Sequence, residues 1–306
     1  MFNKLCKEHI TPDPIDAEEA EWLRVSGGII WSSGDYTGNA YESDINSQYP
    51  YLMGLATNSF PTEKGKFDIV STESVAKFFP FGVYRAVIDK KNTIDDARIR
   101  FKSDNRYTHI DLNYARKYKF NVRLIQDGMT NALLYPNRIT GKELFGNTMK
   151  TLYSYKSSPE LSKPAQKIAK LIMNSLWGAL TQKSSRMIRP NFETNIDIPH
   201  FHNIIKIEEK RNLEENELIN TFVIACPRNE MFETNFARVG TFLTAYGRAE
   251  INKYFPDQME GVIRCHTDGI YFDRDPKITS SDELGAMKVK QGHLTFTKSS
   301  GKKVFQ

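Results

Sequence analysis

The chain has 306 residues, of which 40% are hydrophobic and 26% charged, with a formal net charge of +5. This composition is typical of a globular protein with one large domain or two ordinary ones, and the mild positive charge permits an acidic partner without demanding one. The sequence offers no apolar run of roughly 18 residues for a membrane span, and its acidic N-terminal region is not a signal peptide. Its three distant cysteines exclude a disulfide framework, argue against a cysteine-based zinc site and imply a reducing compartment.

The first half of the chain mixes strand-like and helix-like patterns without regular βαβ alternation, so we expect an α+β fold. Residues 1–23 read as an acidic lead-in. A strand is predicted over residues 82–88 and a short helix over residues 111–118. A further strand is predicted over residues 120–126, ending on the turn pair Asp127-Gly128.

Two long helices are predicted next, over residues 142–155 and 160–180. The Ser157-Ser-Pro-Glu160 sequence between them has the spacing of a capping box with a proline near the first helical position. Residues 183–232 are polar and rich in turn formers, and the charged run within them is typical of a solvated face or loop. Apolar spacing over residues 236–246 predicts another amphipathic helix.

The first segment whose residues could take part in catalysis covers residues 41–51. Asp44 follows an alternating stretch, Asn46 and Ser47 are candidate N-caps, and Pro50 suits a first helical turn. A carboxylate at a strand-to-helix junction lies near free backbone N–H groups, so a metal ion and a phosphate can meet there. The alternative is an aspartate in an ordinary turn.

The second segment is the helix over residues 163–178. Side chains spaced by four, three, four and three positions share one of its faces: Lys163, Lys167, Lys170, Asn174 and Trp177. Other apolar residues are expected to pack on the core: Ile168, Leu171, Ile172 and Leu176. Three cations, an amide and an indole in one stripe suit a polyphosphate at one end and a stacked base at the other. The alternative is a basic amphipathic surface helix.

The third segment places Asp268 and Gly269 between strand-like runs at residues 262–265 and 270–272, a pattern typical of a β-hairpin. One interpretation places a second metal-binding carboxylate, Asp268, at the tip of this hairpin. The alternative is a hairpin with no catalytic role. The neighbouring His266 could be a ligand, a phosphate contact or a surface histidine, and the last is favoured. Two carboxylates on a sheet beside a lysine-rich helix are the components of a two-metal phosphoryl-transfer site.

These segments resemble motifs of the B-family DNA polymerases, and within them the protein-primed branch of phages, viruses and linear plasmids. Asp44-Ile-Asn-Ser-Gln-Tyr-Pro50 resembles the first palm motif, D-x-x-S-L-Y-P, and Lys170-Leu-Ile-Met-Asn-Ser-Leu-Trp-Gly178 resembles the fingers motif, K-x-x-x-N-S-x-Y-G. His266-Thr-Asp-Gly269 stands where the second palm motif, D-T-D-S, is expected. Ser26-Gly-Gly28 is similar to the glycine motif before the palm, and Lys303-Val-Phe305 to the K-x-Y motif.

The resemblance spans roughly residues 24–306 and implies a palm, an antiparallel sheet with flanking helices, plus a helical-hairpin fingers subdomain. It divides the chain into a lead-in at 1–23, a first palm part with motif A at 24–54, a palm continuation with an insertion like terminal-protein region 1 at 55–144, fingers at 145–182, an insertion like terminal-protein region 2 at 183–232, and a second palm part with motif C at 233–306. The exonuclease domain and the thumb of the family do not fit in this length. We therefore expect a fragment or one part of a split enzyme.

The resemblance also implies roles for single residues. Asp44 and Asp268 would be catalytic and would hold two Mg²⁺ or Mn²⁺ ions with the Ile45 carbonyl. Tyr49 would be the steric gate against a ribose 2′-hydroxyl. The nucleotide-binding residues would be Ser47, Tyr49, Lys156, Lys170, Asn174 and Trp177. The DNA-binding residues would be Gly27, Gly28, Lys303 and Phe305.

The implied reaction is template-directed attack of a primer hydroxyl on a dNTP. Its partners are primer–template DNA and dNTPs; a terminal priming protein and a separate chain with an exonuclease or thumb are further candidates, and no membrane partner is expected. The expected location is the cytoplasm of an infected host, an organelle or a mobile element.

The sequence departs from the family motifs at Trp177, His266, Gly269 and Phe305. Two alternatives stay open: a catalytically impaired DNA-binding module and a nuclease using the same carboxylates.

Overall fold

The computed structural model describes residues 10–23, 26–182, 186–188, 202–211, 218–227, 232–299, 301 and 303–305. The α-helices in these ranges are α1 (Ala17–Trp22), α2 (Gln48–Gly54), α3 (His109–Lys117), α4 (Gly141–Ser157), α5 (Lys163–Leu180) and α6 (Ala237–Asn252). A 3₁₀ helix covers Ile94–Arg98. None of the helices within the described ranges is both long and apolar enough to cross a bilayer.

The strands form several antiparallel sheets. They are β1 (Ile30–Ser32), β2 (Tyr36–Ile45), β3 (Ser59–Phe60), β4 (Lys66–Asp68), β5 (Gly82–Ile88), β6 (Arg106–Thr108), β7 (Val122–Leu124), β8 (Ala132–Leu134), β9 (Ile139–Thr140), β10 (Arg186–Ile188), β11 (His202–Arg211), β12 (Leu218–Pro227), β13 (Val262–His266), β14 (Gly269–Phe272), β15 (Met287–Phe296) and β16 (Lys303–Phe305). The largest sheet has the order β1-β13-β14-β2-β15-β16. A second sheet has the order β4-β8-β5-β6, with β7 beside β5. Two smaller sheets are the pair β3-β9 and the three-stranded sheet β10-β12-β11. The predicted mixture of helices and sheets is confirmed.

Local signals explain most of the predicted elements in the first half. The strand predicted at residues 82–88 is β5. The helix predicted at 111–118 begins earlier, at His109, because Thr108 and Asp111 form a capping box. The strand predicted at 120–126 is shorter, covering Val122–Leu124.

The two long helices differ in how they begin. The helix predicted at 142–155 is α4, which starts on a capping box of Thr140 and Glu143. The capping box predicted at 157–160 is wrong, because α5 begins only at Lys163. Its N-cap is Ser162, whose hydroxyl accepts a hydrogen bond from the Ala165 N–H at 3.5 Å. Pro164 then lies in the first turn, where a missing N–H costs nothing.

Helix α5 buries a different stripe from the predicted one. Its buried residues are Ala169, Met173, Leu176 and Leu180, on the side that contacts α2, α4 and α6. The prediction for Leu176 is confirmed. The prediction that Ile168, Leu171 and Ile172 pack on the core is wrong, since they are 58%, 66% and 43% exposed. A helix contacted from one side buries only one stripe, and the Lys170–Asn174–Trp177 stripe lies next to it, one position further along.

The helix predicted at residues 236–246 is α6, which extends to Asn252. It is buried on nearly every side instead of being amphipathic, because it contacts α2, α3, α5, β3 and β6. The two buried arginines of α6 form ion pairs: Arg238 pairs with Glu19 of α1, and Arg248 pairs with Asp111 of α3. The region predicted as an acidic lead-in therefore includes a helix of the core, while residues 1–9 lie outside the described residues.

The region at residues 183–232 contains the three-stranded sheet β10-β12-β11, although its composition indicated mainly loop. The first part of its charged run, residues 208–211, belongs to β11, and residues 212–217 lie outside the described residues.

The six-stranded sheet turns one face to a core and the other to the candidate site. Alternation along β2 buries Ser43 and Ile45, while Glu42 and Asp44 lie on the opposite face. Ile45 joins an apolar cluster with Ile251 of α6 and with Cys265, Ile270 and Met287 from the neighbouring strands. This packing fixes the position of the strand that carries Asp44.

Candidate active site

Strand β2 and the β13–β14 hairpin bring two carboxylates together. Gly269 of β14 pairs with Asp44 of β2, and the Ile45 N–H donates to the Asp268 carbonyl at 2.9 Å. Both aspartates line a cavity of about 310 Å³, which we call the carboxylate cavity. Segments that lie more than 200 residues apart in the sequence therefore meet at one point, as predicted from their patterns.

The hairpin turn lies one position earlier than predicted. His266 pairs with Gly269, so the two loop residues are Thr267 and Asp268 instead of Asp268 and Gly269. Thr267 takes the left-handed conformation, with φ +61°, which is sparsely populated for a β-branched residue. His266 is exposed at the end of β13, in line with the surface histidine favoured from the sequence. The tip thus presents Asp268 itself to the cavity.

The two carboxylates lack a neutralising partner. Within the described residues neither forms an ion pair. Burial and the negative charges of Asp268 and Glu42 raise the pKa of Asp44 to about 6, against the opposing charges of Lys170 and Lys290. Burial also raises the pKa of Asp268. Such a pair fits an added cation, because a bound cation removes the repulsion.

The donor set suits a hard cation. Among the described residues no group of three or more His, Cys, Asp or Glu side chains is arranged so that it could hold a metal ion. A cation at this point would therefore use Asp44, Asp268 and other oxygens, such as the backbone carbonyl of the cavity residue Ile45. Carboxylate, carbonyl and water oxygens are the ligands that Mg²⁺ and Mn²⁺ prefer.

Helices α2 and α5 form the other walls of the carboxylate cavity. Of the residues predicted to bind a nucleotide, the ones that line it are Ser47, Tyr49, Lys170, Asn174 and Trp177. The Tyr49 and Trp177 rings are in contact, with centroids 4.7 Å apart and planes tilted by 36°. The stripe predicted on α5 therefore faces the carboxylates with its C-terminal half.

Tyr49 depends on α6 for its position. A Cβ atom at Gly247 would lie 2.9 Å from Cε1 of Tyr49, so only glycine admits the ring there. The Gln48 side-chain amide donates to the Gly247 carbonyl at 2.9 Å. Sequence reasoning missed Gly247, although a glycine inside a helix is a signal of close packing.

Lys156 lies beside the carboxylate cavity and reaches the start of α2. Its ammonium donates to Asn46 Oδ1 at 3.0 Å and to Ser47 Oγ at 2.9 Å. Ser47 precedes α2 as predicted, but its φ is +52° and its hydroxyl makes no cap hydrogen bond. The hydroxyl accepts from Lys156 and donates to Asn46 Oδ1 at 3.4 Å. The Asn46 amide donates to the carbonyls of Asp282 and Glu283 at 2.6 and 3.2 Å. Asn46 thus links α4 to the loop before β15.

The glycine motif at residues 26–28 packs on the hairpin tip. The Thr267 N–H donates to the Ile29 carbonyl at 2.8 Å, and Gly28 is buried against Thr267. The Arg248 Nη1 donates to the carbonyls of Ser26 and Gly27, both at 2.9 Å. Gly27 is exposed, so of the two glycines only Gly27 is open to a partner.

Arg248 is itself fixed by a buried carboxylate. Its Nε and Nη2 donate to the two Asp111 oxygens at 2.8 and 2.9 Å. Although burial opposes it, the charges of Arg248 and Lys102 hold the pKa of Asp111 well below its usual range. The glycine motif is therefore anchored through α6 to α3.

Replacing Gly28 with Ala is expected to destabilise the protein by about 1–3 kcal/mol, because there is no room for the added Cβ next to Thr267. That atom would be 2.7 Å from the Thr267 Cα, which is backbone and cannot rotate away. The matched control is Gly27→Ala, whose Cβ meets nothing within 4 Å and should cost at most about 0.5 kcal/mol. Urea unfolding measures both, and equal effects of the two substitutions would contradict the packing.

The predicted C-terminal residues lie on the same sheet face as Asp44. The Lys303 ammonium donates to Glu42 Oε1 at 2.9 Å and contacts the Tyr271 hydroxyl, which donates to Glu42. Phe305 packs edge-on against Tyr271, with ring centroids 6.1 Å apart. Although burial opposes it, these hydrogen bonds lower the pKa of Glu42, so this carboxylate stays charged and paired.

Comparison with known proteins gives concordant matches. A family model described as DNA polymerase type B, organellar and viral, matches residues 22–260. The probable DNA polymerase of Ascobolus immersus is 26% identical over 280 residues, which cover 82% of this chain and 21% of that protein.

Solved structures of Phi29 DNA polymerase are similar in fold. The complex with single-stranded DNA has a TM-score of 0.63 at 16% identity, covering 99% of this chain and 55% of that one. The complex with primer–template DNA has a TM-score of 0.64 at 15% identity and the same coverage. The ternary complex with primer–template DNA and incoming nucleotide substrates has a TM-score of 0.58 at 16% identity, covering 94% and 54%. This chain thus spans about half of the Phi29 enzyme and about a fifth of the fungal relative.

Proposed function

Since this chain belongs to the organellar and viral type B DNA polymerases, we propose that it carries the site of template-directed DNA synthesis. The observation that carries the proposal is the carboxylate cavity, in which Asp44 and Asp268 face the Lys170–Asn174–Trp177 stripe of α5. Because the chain spans only part of its relatives, synthesis by this chain alone is part of the proposal.

The proposed subdomains follow from this site. The six-stranded sheet would be the palm sheet, within residues 24–54 and 233–306, and the α4–α5 hairpin the fingers, at residues 145–182. Residues 55–144, whose strands belong to other sheets, would be the palm continuation with an insertion like terminal-protein region 1. Residues 183–232 would be an insertion at the place of the second terminal-protein region. The branch proposed is the protein-primed one, whose priming hydroxyl comes from a terminal protein.

Asp44, Asp268 and the Ile45 carbonyl are the proposed ligands of two Mg²⁺ or Mn²⁺ ions. Ions bound there would supply activation of the primer hydroxyl and neutralisation of the leaving pyrophosphate. The protein's own contribution is to hold two carboxylates at one point between β2 and the hairpin tip, so that no rearrangement is needed when charge develops in the reaction.

The α5 stripe orients the incoming nucleotide. Trp177, stacked on Tyr49, offers an aromatic surface for the base and sugar, and Asn174 lies one turn nearer the phosphates. Lys170 borders Asp44 in the cavity and binds the phosphates as a point charge. A dNTP held in this way presents its α-phosphate to the carboxylates, which is the positioning that phosphoryl transfer requires.

The proposed DNA path passes the exposed Gly27 and the Lys303–Phe305 strand on the sheet face beside Asp44. Lys303 is already paired with Glu42, so its role toward DNA would be to support a surface instead of offering a free charge. Backbone phosphate contacts make such binding salt-dependent.

The test is primer extension on a template of known sequence with Mg²⁺ or Mn²⁺, alone and with a terminal protein. Incorporation specified by the template and dependent on dNTPs supports the proposal. DNA binding without incorporation under either condition would favour a binding module. Degradation of DNA independent of dNTPs would favour a nuclease.

Tyr49 is the proposed steric gate, and Tyr49→Val is expected to lower discrimination against ribonucleotides by at least about tenfold. The smaller side chain leaves room for a 2′-hydroxyl in the carboxylate cavity. The measurement is the ratio of kcat/KM for dNTP over rNTP, which cancels a general loss of activity within one variant. Tyr49→Phe keeps the ring and should keep the ratio; equal ratios in all three proteins would rule out the gate.

A further inference from the structure

A second cavity of about 400 Å³ adjoins the carboxylate cavity and shares Asp44, Asn46 and Lys170 with it. We call it the lysine cavity, because its lining adds three more cations to Lys170: Lys156, Lys288 and Lys290. Neither Lys288 nor Lys290 belongs to any of the motifs that the sequence offered.

The β15 register places both lysines on the active-site face of the sheet. In the register of β15 and β2, Lys288 lies opposite Asp44 and Lys290 lies opposite Glu42. Side chains directly opposite one another in an antiparallel pair lie on the same face, so both point away from the core that holds Met287. The sequence signal is a two-residue alternation of Met287 and Val289 with the two lysines.

The lysine cavity carries surplus positive charge. In the described structure Lys290 has no ion-pair partner, and Glu42 opposite it is already bound to Tyr271 and Lys303. Lys288 pairs with Asp282, whose side chain is 84% exposed. Burial and the positive charges of Lys170 and Lys288 lower the pKa of Lys156, the direction expected for a partly buried cation close to other cations.

We propose that Lys288 and Lys290, together with Lys156, bind the β- and γ-phosphates of the incoming nucleotide and then the pyrophosphate. This inference rests on the proposed function. Trp177 and Asn174 line only the carboxylate cavity, whereas Lys170 lines both, so a nucleotide that runs along α5 extends its terminal phosphates into the lysine cavity.

The chemistry agrees with this placement. The primer oxygen forms a bond to the α-phosphorus, the bond from that phosphorus to the α,β-bridging oxygen breaks, and this oxygen keeps the electron pair. The primer hydroxyl proton passes to water. Negative charge grows on the departing pyrophosphate, where the fixed ammonium groups of β15 would stabilise it.

The first test is a calorimetric titration of inorganic pyrophosphate into the metal-free protein. We expect the Lys288→Gln/Lys290→Gln variant to bind pyrophosphate at least about tenfold more weakly, because charge-assisted hydrogen bonds are lost. Arginine at both positions should restore binding. The matched control is Lys253→Gln, which removes an exposed lysine that pairs with Glu250 outside both cavities.

The second test distinguishes nucleotide phosphates from DNA phosphates. In primer extension the double variant should show a raised dNTP KM and weaker inhibition by pyrophosphate, with an unchanged Kd for primer–template DNA. A raised DNA Kd with normal pyrophosphate binding would overturn the proposal, as would unchanged pyrophosphate binding by itself. If the wild-type chain incorporates nothing but binds pyrophosphate through Lys288 and Lys290, the proposed function fails and the anion site stands.

Discussion

Replacement of Asp44 or Asp268 with Asn is expected to abolish nucleotide incorporation while the fold remains intact. Each asparagine keeps the shape of the side chain but removes the charge that would hold a divalent cation. We expect kcat in primer extension to fall by about 10³-fold or more, which is about 4 kcal/mol of transition-state stabilisation. Since both residues border the same cavity, the double variant should lose little beyond either single one.

The same substitutions should stabilise the metal-free protein. Asp44 has an ordinary pKa of 3.8 when unfolded and a pKa of about 6 in the fold, so the folded state disfavours its charged form. Above about pH 6 this charge lowers the stability of the wild type, and Asn removes the penalty. As the pH falls from about 6 to 3.8, Asp44 becomes protonated and the advantage of Asn disappears. Thermal unfolding at several pH values measures this difference.

Loss of activity combined with gain of stability is the signature of a charged pair kept for function. The control is Asp275→Asn, because Asp275 is exposed, pairs with Lys277 and lines neither cavity. It should leave incorporation unchanged and give no stabilisation. Incorporation by Asp44→Asn within tenfold of the wild type, or a lower unfolding temperature near neutral pH, would contradict the assignment.

Local patterns were enough to predict the main parts of the site. The spacing on α5 predicted which face carries Lys170, Asn174 and Trp177, and the structure turns this face to the carboxylates. The strand and hairpin patterns around Asp44 and Asp268 predicted one carboxylate near the end of a strand and a second at the tip of a hairpin. Such signals depend on neighbours within one turn or one hairpin, so they can be seen in the sequence.

What escaped prediction depends on partners that are distant in the sequence. Helix α5 has apolar residues on several sides, and only its contacts with α2, α4 and α6 decide that Met173 is buried and Leu171 exposed. The hydroxyl of Ser47 would cap α2, but Lys156 of α4 engages it. Lys288 and Lys290 lie beside the candidate site only because of the β15–β2 register, which no local pattern specifies.

The largest effect on stability is expected at the ion pair between Glu19 of α1 and Arg238 of α6. Both side chains are fully buried, and Arg238 Nε and Nη2 donate to the two Glu19 oxygens at 2.7 and 2.6 Å. Arg238 also donates to the carbonyls of Asp13 and Pro14, and the Tyr135 hydroxyl donates to Glu19 at 2.7 Å. A buried carboxylate thus depends on one guanidinium for its neutralisation.

We expect Arg238→Met to lower the free energy of unfolding by about 3–5 kcal/mol, because the buried Glu19 would lose the guanidinium that balances its charge. Urea unfolding measures this loss. The matched control is Arg274→Met at a surface pair, where Arg274 is 63% and Asp273 40% exposed. That substitution should cost at most about 1 kcal/mol, since water already solvates both groups.

A double variant separates the cost of an unpaired charge from the value of the pair itself. Glu19→Gln/Arg238→Met removes both charges, so it should be more stable than Arg238→Met alone, even though it carries one substitution more. Losses that simply add in the double variant would show that Glu19 and Arg238 are not coupled, and would place the cost of Arg238→Met in its hydrogen bonds to Asp13 and Pro14. Because Gly247 and Arg248 lie on the same helix, the variants should also be compared for their unfolding temperature before any difference in activity is attributed to the site.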